Sequence, residues 1–121
     1  MKIIIDTNFF IYSVEYRIFQ QLEKPGIEII IPSQVAWELE KLSNRGKIKD
    51  REAAKLALQL IKKLNIKIAR TSARNADEAV LKTALHENAS IATLDKILSR
   101  KAQNKGIKVI EIRQKKYMRL E

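Results

Sequence analysis

Two aspartates stand at the ends of Ile-rich runs, where a small α/β protein would place reactive groups. Asp6 closes the run Lys2 to Asp6, and Asp95 follows Ser90 to Leu94 with Thr93 two residues before it. In an open parallel sheet, ligands bind beyond the carboxyl ends of the strands, where the strand order reverses. If the two runs are neighbouring strands, their carboxylates meet. Taken singly, each aspartate also has a plainer reading as the N-cap of the helix that follows. Glu38 stands three residues after Val35 and four before Leu42, on the border of the stripe Val35, Leu39 and Leu42. Asp77 falls within the arc formed by Ala76, Val80, Leu81, Ala84 and Leu85, with Glu78 nearer its edge. A carboxylate on an apolar stripe costs several kcal/mol unless something pairs with it. Neither stripe carries a Lys or Arg beside its acid, so the partner is either a cation from elsewhere in the core or one shared with the other acids. Glu40 and Glu78 are lesser candidates.

Four converging carboxylates would repel one another until one took up a proton or a cation entered. The chain has no Cys, and its lone His86, late on a helix beside Glu87, reads as a surface residue. A site of oxygen donors alone favours a hard ion, Mg²⁺ or Mn²⁺. Such an ion holds a phosphate, acidifies water and stabilises a leaving oxygen, which is the chemistry of phosphodiester hydrolysis. Charge agrees with a polyanionic partner. Residues 1–40 hold three basic and six acidic side chains, whereas residues 41–121 hold 21 and eight. A basic surplus of that size attracts nucleic acid, although a lysine-rich solvated surface would look the same. The substrate path is expected along Lys41, Arg45, Lys47, Lys49 and Arg51, and at Arg100 and Lys101 behind Asp95. The tail with Arg113, Lys115, Lys116 and Arg119 is a second path, unless Tyr117, Met118 and Leu120 pin it to the sheet and leave its charges solvated.

The elements that must position these groups follow from hydrophobic periodicity. At 121 residues the chain is read as a single domain spanning 1–121, with 113–121 a basic C-terminal tail. No apolar run approaches the roughly 18 residues of a membrane span. No basic-then-apolar leader opens the chain, and the absence of Cys suits a reducing compartment, so a soluble, cytoplasmic protein with no membrane partner is expected. Strands are predicted at Lys2 to Asp6, Ile27 to Ile31, Ile66 to Ala69, Ser90 to Leu94 and Ile107 to Ile112, most with too little polar alternation for a sheet that has one wet face. Helices are predicted at Phe9 to Glu23, from an N-cap at Ser33 to about Ser43, at Asp50 to Leu64, at Asn75 to Glu87 and at Asp95 to Asn104. Alternating strands and helices make the fold class α/β with a parallel sheet. The first helix holds Phe9, Phe10, Tyr12, Tyr16 and Phe19, five of the seven aromatics of the chain. A helix apolar nearly all round is covered on more than one side, which favours a homodimer through this helix over a deeply buried helix in a monomer.

In this setting the sequence resembles the PIN domain family of small metal-dependent ribonucleases. Asp6-Thr7-Asn8 after the first strand resembles the opening motif of that family. Pro32 with Val35, Glu38 and Leu39 resembles the second motif, Asp77 followed by Ala84 the third, and Ala92-Thr93-Leu94-Asp95 the fourth. The resemblance implies a three-layer α/β/α fold with a five-stranded parallel sheet of order 3-2-1-4-5, which makes the first and fourth strands neighbours. It implies that Asp6, Glu38, Asp77 and Asp95 bind Mg²⁺ or Mn²⁺ and activate water for endoribonucleolytic cleavage, with Asn8 and Thr93 in support. Asn8 is expected to cap the first helix and Thr93 to hydrogen-bond a carboxylate or a metal-bound water. Lys96, Ile97, Leu98 and Ser99 follow Asp95 where some members carry a further acid, so occupancy by one or two ions stays open. The stretch Ile112 to Met118 resembles archaeal members related to ribosomal RNA-processing nucleases. Small single-domain members also act as VapC toxins held by an antitoxin protein. Single-stranded or looped RNA is the expected substrate. The rival reading is a non-catalytic RNA-binding or assembly module of the same fold, in which the acids serve as caps and core partners.

Overall fold

Ile3, Ile4 and Ile5 of β1 (Lys2–Ile5) are all fully buried. That is the condition of a parallel strand covered on both faces. β2 (Glu28–Pro32) and β4 (Ser90–Ala92) flank β1 in parallel, with Ile4 in register with Ile30 on one side and Ile91 on the other. β3 (Lys67–Ala69) extends the sheet beyond β2, and β5 (Val109–Arg113) beyond β4. The computed structural model describes residues 1–120, so Glu121, the last residue of the expected tail, lies outside the described residues.

The sheet has six strands in the order β3-β2-β1-β4-β5-β6, one more than expected. β6 (Tyr117–Arg119) runs antiparallel to β5, with Ile112 opposite Met118 and Arg113 opposite Tyr117. Its three residues are too short for a periodic signal, and the cations around them mask the one that matters, the buried Met118. The first five strands keep the parallel order 3-2-1-4-5. Reversal of strand order therefore falls between β1 and β4, next to Asp6 and Thr93.

The helices form two layers. α1 (Thr7–Glu15), α2 (Ser33–Arg45) and α3 (Ile48–Lys63) pack against one another. α4 (Ala76–Glu87) and α5 (Lys96–Asn104) follow crossovers in the opposite direction across the sheet, and right-handed connections place them on its other face. The fold is the three-layer α/β/α arrangement with five helices.

Two helix expectations are corrected. The predicted helix Phe9 to Glu23 stops at Glu15, because Tyr16 caps it and Arg17 turns left-handed with φ 57°. A 3₁₀ turn, Phe19–Leu22, then swings Phe19 back to stack on Phe10 at 5.0 Å. Each buried ring contributes about 2–3 kcal/mol of apolar burial. Phe9, Phe10, Ile11, Ile18 and Phe19 are all covered by the chain itself, while Tyr16 is left exposed. In α2 the N-cap is Pro32 and not Ser33, whose hydroxyl donates to the Gln34 side chain. Among the described residues no helix is long and apolar enough to cross a membrane.

Candidate functional site

Asp6 sits at the centre of the carboxyl rim, 7% exposed, directly after three buried isoleucines. Its backbone N–H continues the ladder to Ala92 of β4. Its carboxylate caps α1: Oδ1 accepts from the Thr7 N–H at 2.8 Å, and Oδ2 accepts from the Thr93 hydroxyl at 3.0 Å. The Thr93 hydroxyl in turn accepts the Asp95 N–H at 3.1 Å. One hydroxyl thus joins the ends of β1 and β4 and fixes the plane of the Asp6 carboxylate. The Asp95 Oδ1 accepts from Ile97 N–H at 2.8 Å and Leu98 N–H at 3.1 Å, which makes Asp95 the N-cap of α5. Both plain readings hold, since each aspartate is a cap. Capping uses one oxygen of Asp95 and one lone pair on each oxygen of Asp6, so acceptor capacity remains on both.

The other two acids arrive from the neighbouring helices. Glu38 reaches back from α2 to accept the Thr7 hydroxyl at 2.6 Å. Asp77 lies in the first turn of α4, which opens under an Asn75 N-cap. Burial pushes the Asp6 carboxyl above the ordinary aspartate value, the Thr7 and Thr93 hydrogen bonds oppose that shift, and the charges of Asp77 and Glu38 push it higher. The three carboxylates therefore share one electrostatic field, and the Thr93 hydroxyl that bonds Asp6 also accepts the Asp95 backbone N–H.

Several expectations about these groups change. Glu38 and Asp77 are exposed at the rim and are not set into apolar stripes. Val35, Ala36 and Leu39 form the buried face of α2, and Ala79, Val80, Thr83 and Ala84 that of α4. The desolvation that a stripe position suggested belongs to Asp6 instead. Asn8 is exposed and leaves capping of α1 to Asp6. Glu40 is exposed, and Glu78 is tied to Arg74 at 3.2 Å and Lys82 at 3.1 Å, so neither lesser candidate joins the cluster. Thr7 is the residue that motif reading overlooked. It stands inside Asp6-Thr7-Asn8, but its role depends on Glu38, 31 positions away.

Among the described residues, none of Asp6, Glu38, Asp77 and Asp95 forms an ion pair with Lys or Arg. Nor do any three Asp, Glu or His groups stand close enough, as arranged, to hold an ion together. The site is thus a set of oxygen donors with an unrelieved excess of negative charge, the donor type that a hard divalent cation prefers.

Of the expected substrate-path residues, Lys41 and Arg45 continue along α2 at three and seven positions beyond Glu38, on its flank of the helix. Lys47 caps α3 and is exposed, and Arg51 is half-buried. Lys49 pairs with Glu15 at 3.7 Å and lies over the Tyr16 ring at 5.8 Å. Arg100 and Lys101 are exposed on α5. The tail is pinned as Met118 suggests, yet its turn stays exposed.

A family model described as a PIN-like domain matches residues 3–115, which span β1 through β5 and all four acids. The chain belongs to the PIN-like domain family. A relative, ribonuclease VapC4 of Methanocaldococcus jannaschii, is 37% identical over 98% of this chain and 95% of its own length. Among solved structures, the PIN domain endonuclease Utp24 superposes with a TM-score of 0.73 at 23% identity, covering 95% of this chain and 87% of that one. VapBC2 from Rickettsia felis, bound to a DNA fragment from its promoter, gives 0.61 at 21% identity over 90% of this chain and 97% of that one. These two share the PIN fold. The family match ends within the β5–β6 turn, so β6 lies beyond it.

Proposed function

We propose that this chain is an endoribonuclease of the VapC type, hydrolysing RNA phosphodiester bonds with Mg²⁺ or Mn²⁺ held by Asp6, Glu38, Asp77 and Asp95. The observation that carries the reading is the buried Asp6 carboxylate, raised in pKa by burial and by two neighbouring acids, with no cation of the described chain to neutralise it. A structural cap needs none of those neighbours. When bound, the ion supplies Lewis acidity at the phosphate and makes water a better nucleophile.

The chain's own groups do the positioning. Asp6 contributes the fixed donor, because two hydrogen bonds and burial hold its carboxylate in one plane. Thr7, which follows Asp6, holds Glu38 through its hydroxyl, and Thr93 links Asp6 to the start of α5, where one Asp95 oxygen is not used in capping. Lys41 and Arg45 beyond Glu38 hold the phosphates of the incoming strand. The toxin assignment is supported by the 37% identity to ribonuclease VapC4. The partner in that reading is an antitoxin protein that covers the acidic rim. A role in ribosomal RNA processing has only fold likeness behind it.

The test is cleavage of single-stranded RNA by the purified chain with Mg²⁺ or Mn²⁺, with EDTA, and with Asp95→Asn. Metal-dependent cleavage lost in the variant, with the fold kept by circular dichroism, supports the proposal. RNA binding without cleavage under every condition, together with a loss of stability in the variant, supports the binding-module reading instead.

A further inference from the structure

α1 begins at the acidic site, with Asp6 as its N-cap and Thr7 bonded to Glu38. Its outer face is set by the spacing of Asn8, Tyr12 and Tyr16, each four residues from the next. Asn8 is exposed, Tyr12 is half-buried, and Tyr16 is 52% exposed although it is a large aromatic. The two tyrosine rings stack at 4.3 Å. From Asn8 to Tyr16 the stripe runs about 12 Å along the helix axis, away from the acids.

Cations stand beside this stripe. The Lys49 ammonium lies 5.8 Å from the centre of the Tyr16 ring, held there by Glu15 at 3.7 Å. The β5–β6 turn folds against Tyr12 of α1 and Gln21 of the 3₁₀ turn. The Tyr12 hydroxyl donates to the Lys115 carbonyl at 2.9 Å, and Gln21 clasps the turn by donating to the Lys116 carbonyl at 2.6 Å and accepting the Met118 N–H at 2.8 Å. Gln114 and Lys115 both have positive φ, 52° and 62°, in a turn that ordinarily takes Asn-Gly. Left-handed conformations at non-glycine residues persist only where the surroundings hold them. Here Tyr12 and Gln21 hold them. With one carbonyl bonded to Tyr12 of α1 and the other to Gln21 of the 3₁₀ turn, the Lys115 and Lys116 side chains are left exposed, and among the described residues neither pairs with a carboxylate.

We propose that this face of α1 is the track along which single-stranded RNA leaves the acidic site, with Tyr16 stacking on a base and Lys49, Lys115 and Lys116 holding phosphates. An aromatic platform flanked by cations suits a polymer of π-faces and negative charges, and it binds with little regard to sequence. The Lys49 side chain is 73% exposed, so its ammonium is open to a phosphate. The proposal rests on the ribonuclease reading for the identity of the polymer. It adds the direction the strand takes, along a face that the basic residues of α2 and α5 do not define.

The experiment measures binding of a fluorescent single-stranded RNA to the full chain carrying Asp6→Asn, in EDTA, across roughly 50–200 mM salt. Tyr16→Ala is expected to weaken binding about tenfold, and Tyr16→Phe to stay close to the parent. Lys115→Gln with Lys116→Gln is expected to lower the slope of log affinity against log salt by about 1.4, from about 0.7 for each single-strand phosphate contact. Lys62→Gln with Lys63→Gln removes the same charge at the far end of α3 and is expected to change the slope by less than half as much. Equal effects from the two lysine pairs, or unchanged binding in Tyr16→Ala, overturn the track. So does a dimer, seen by sedimentation, that Tyr16→Ala splits into monomers of unchanged RNA affinity, because the face is then an interface between copies. The lysine pair lies on exposed side chains, so its arm stands even if a tyrosine variant misfolds. Cleavage by the unmodified chain is scored separately. Loss of binding in Tyr16→Ala without any cleavage sinks the nuclease and leaves the track. Cleavage with binding unmoved does the reverse.

Discussion

Replacing Asp6 with Asn is expected to make this protein more stable and inactive. Asn keeps the shape of the side chain, and its oxygen still accepts the Thr7 N–H, while the Thr93 hydroxyl can turn to accept from the new amide. What disappears is a charge that burial and two acidic neighbours disfavour. The sign follows from the raised pKa. Between the ordinary value of 3.8 and the higher native value, the folded state keeps a proton that the unfolded state has lost, so stability falls as pH rises through that window. At neutral pH the folded protein carries the full penalty. Removing it is expected to add about 1–2 kcal/mol, the usual gain on relieving a functional site, or roughly 3–8 °C in Tm for a domain of this size. The assay is thermal unfolding of both proteins at pH 7 and near pH 3.5 without divalent ions, with RNA cleavage measured alongside. The gain should shrink toward zero in acid, where wild-type Asp6 is itself protonated. Cleavage should fall more than about 100-fold, because several kcal/mol of transition-state stabilisation depend on the ion. A variant clearly less stable than wild type at pH 7 refutes the reasoning, since the charge would then be a net asset of the fold and the cap would suffice to explain it.

Mg²⁺ or Mn²⁺ should raise the Tm of the wild-type chain, by an amount corresponding to about 2.7 kcal/mol at a hundredfold excess over Kd, and should leave Asp6→Asn and Asp95→Asn almost unmoved in the same scan. Thr7→Val removes the hydroxyl that aims Glu38. It is expected to cost 10–100-fold in metal affinity or activity, with Tm little changed, as titration calorimetry and RNA cleavage would report. Tyr12→Phe loses its bond to the Lys115 carbonyl. It should lower stability by about 1 kcal/mol and speed amide exchange in the 114–116 turn, read by mass spectrometry.

The strands that pass through the core were legible because burial on both faces leaves only apolar residues to choose, so Ile3 to Ile5 and Ile29 to Ile31 announce themselves. The start of α4 at Asn75 was legible because capping chemistry is local. The end of α1 was not. A left-handed Arg17 carries no glycine to signal it, and the return of Phe19 onto Phe10 is a contact between residues that sequence periodicity places on one continuous helix. β6 was hidden among cations for a similar reason, since its only buried side chain is Met118.

The site divides along the same line. Sequence determined which acids stand at strand ends and helix starts, and that Asp6 and Asp95 emerge from strands that run the same way. Tertiary structure decided which of them is buried, because desolvation depends on what covers a position and not on its place in a pattern. Glu38 and Asp77, read from helical periodicity as bordering one apolar stripe and lying within another, are open at the rim, and it is Asp6 that is buried, with its pKa raised. Only the folded chain sets the Thr93 hydroxyl against Asp6 across 87 positions and the Thr7 hydroxyl against Glu38 across 31. A hydrogen bond is a relation of distance and angle in space. The order of residues along the chain fixes the groups that can form one, and the packing of β1 against β4 and of α1 against α2 fixes which groups do.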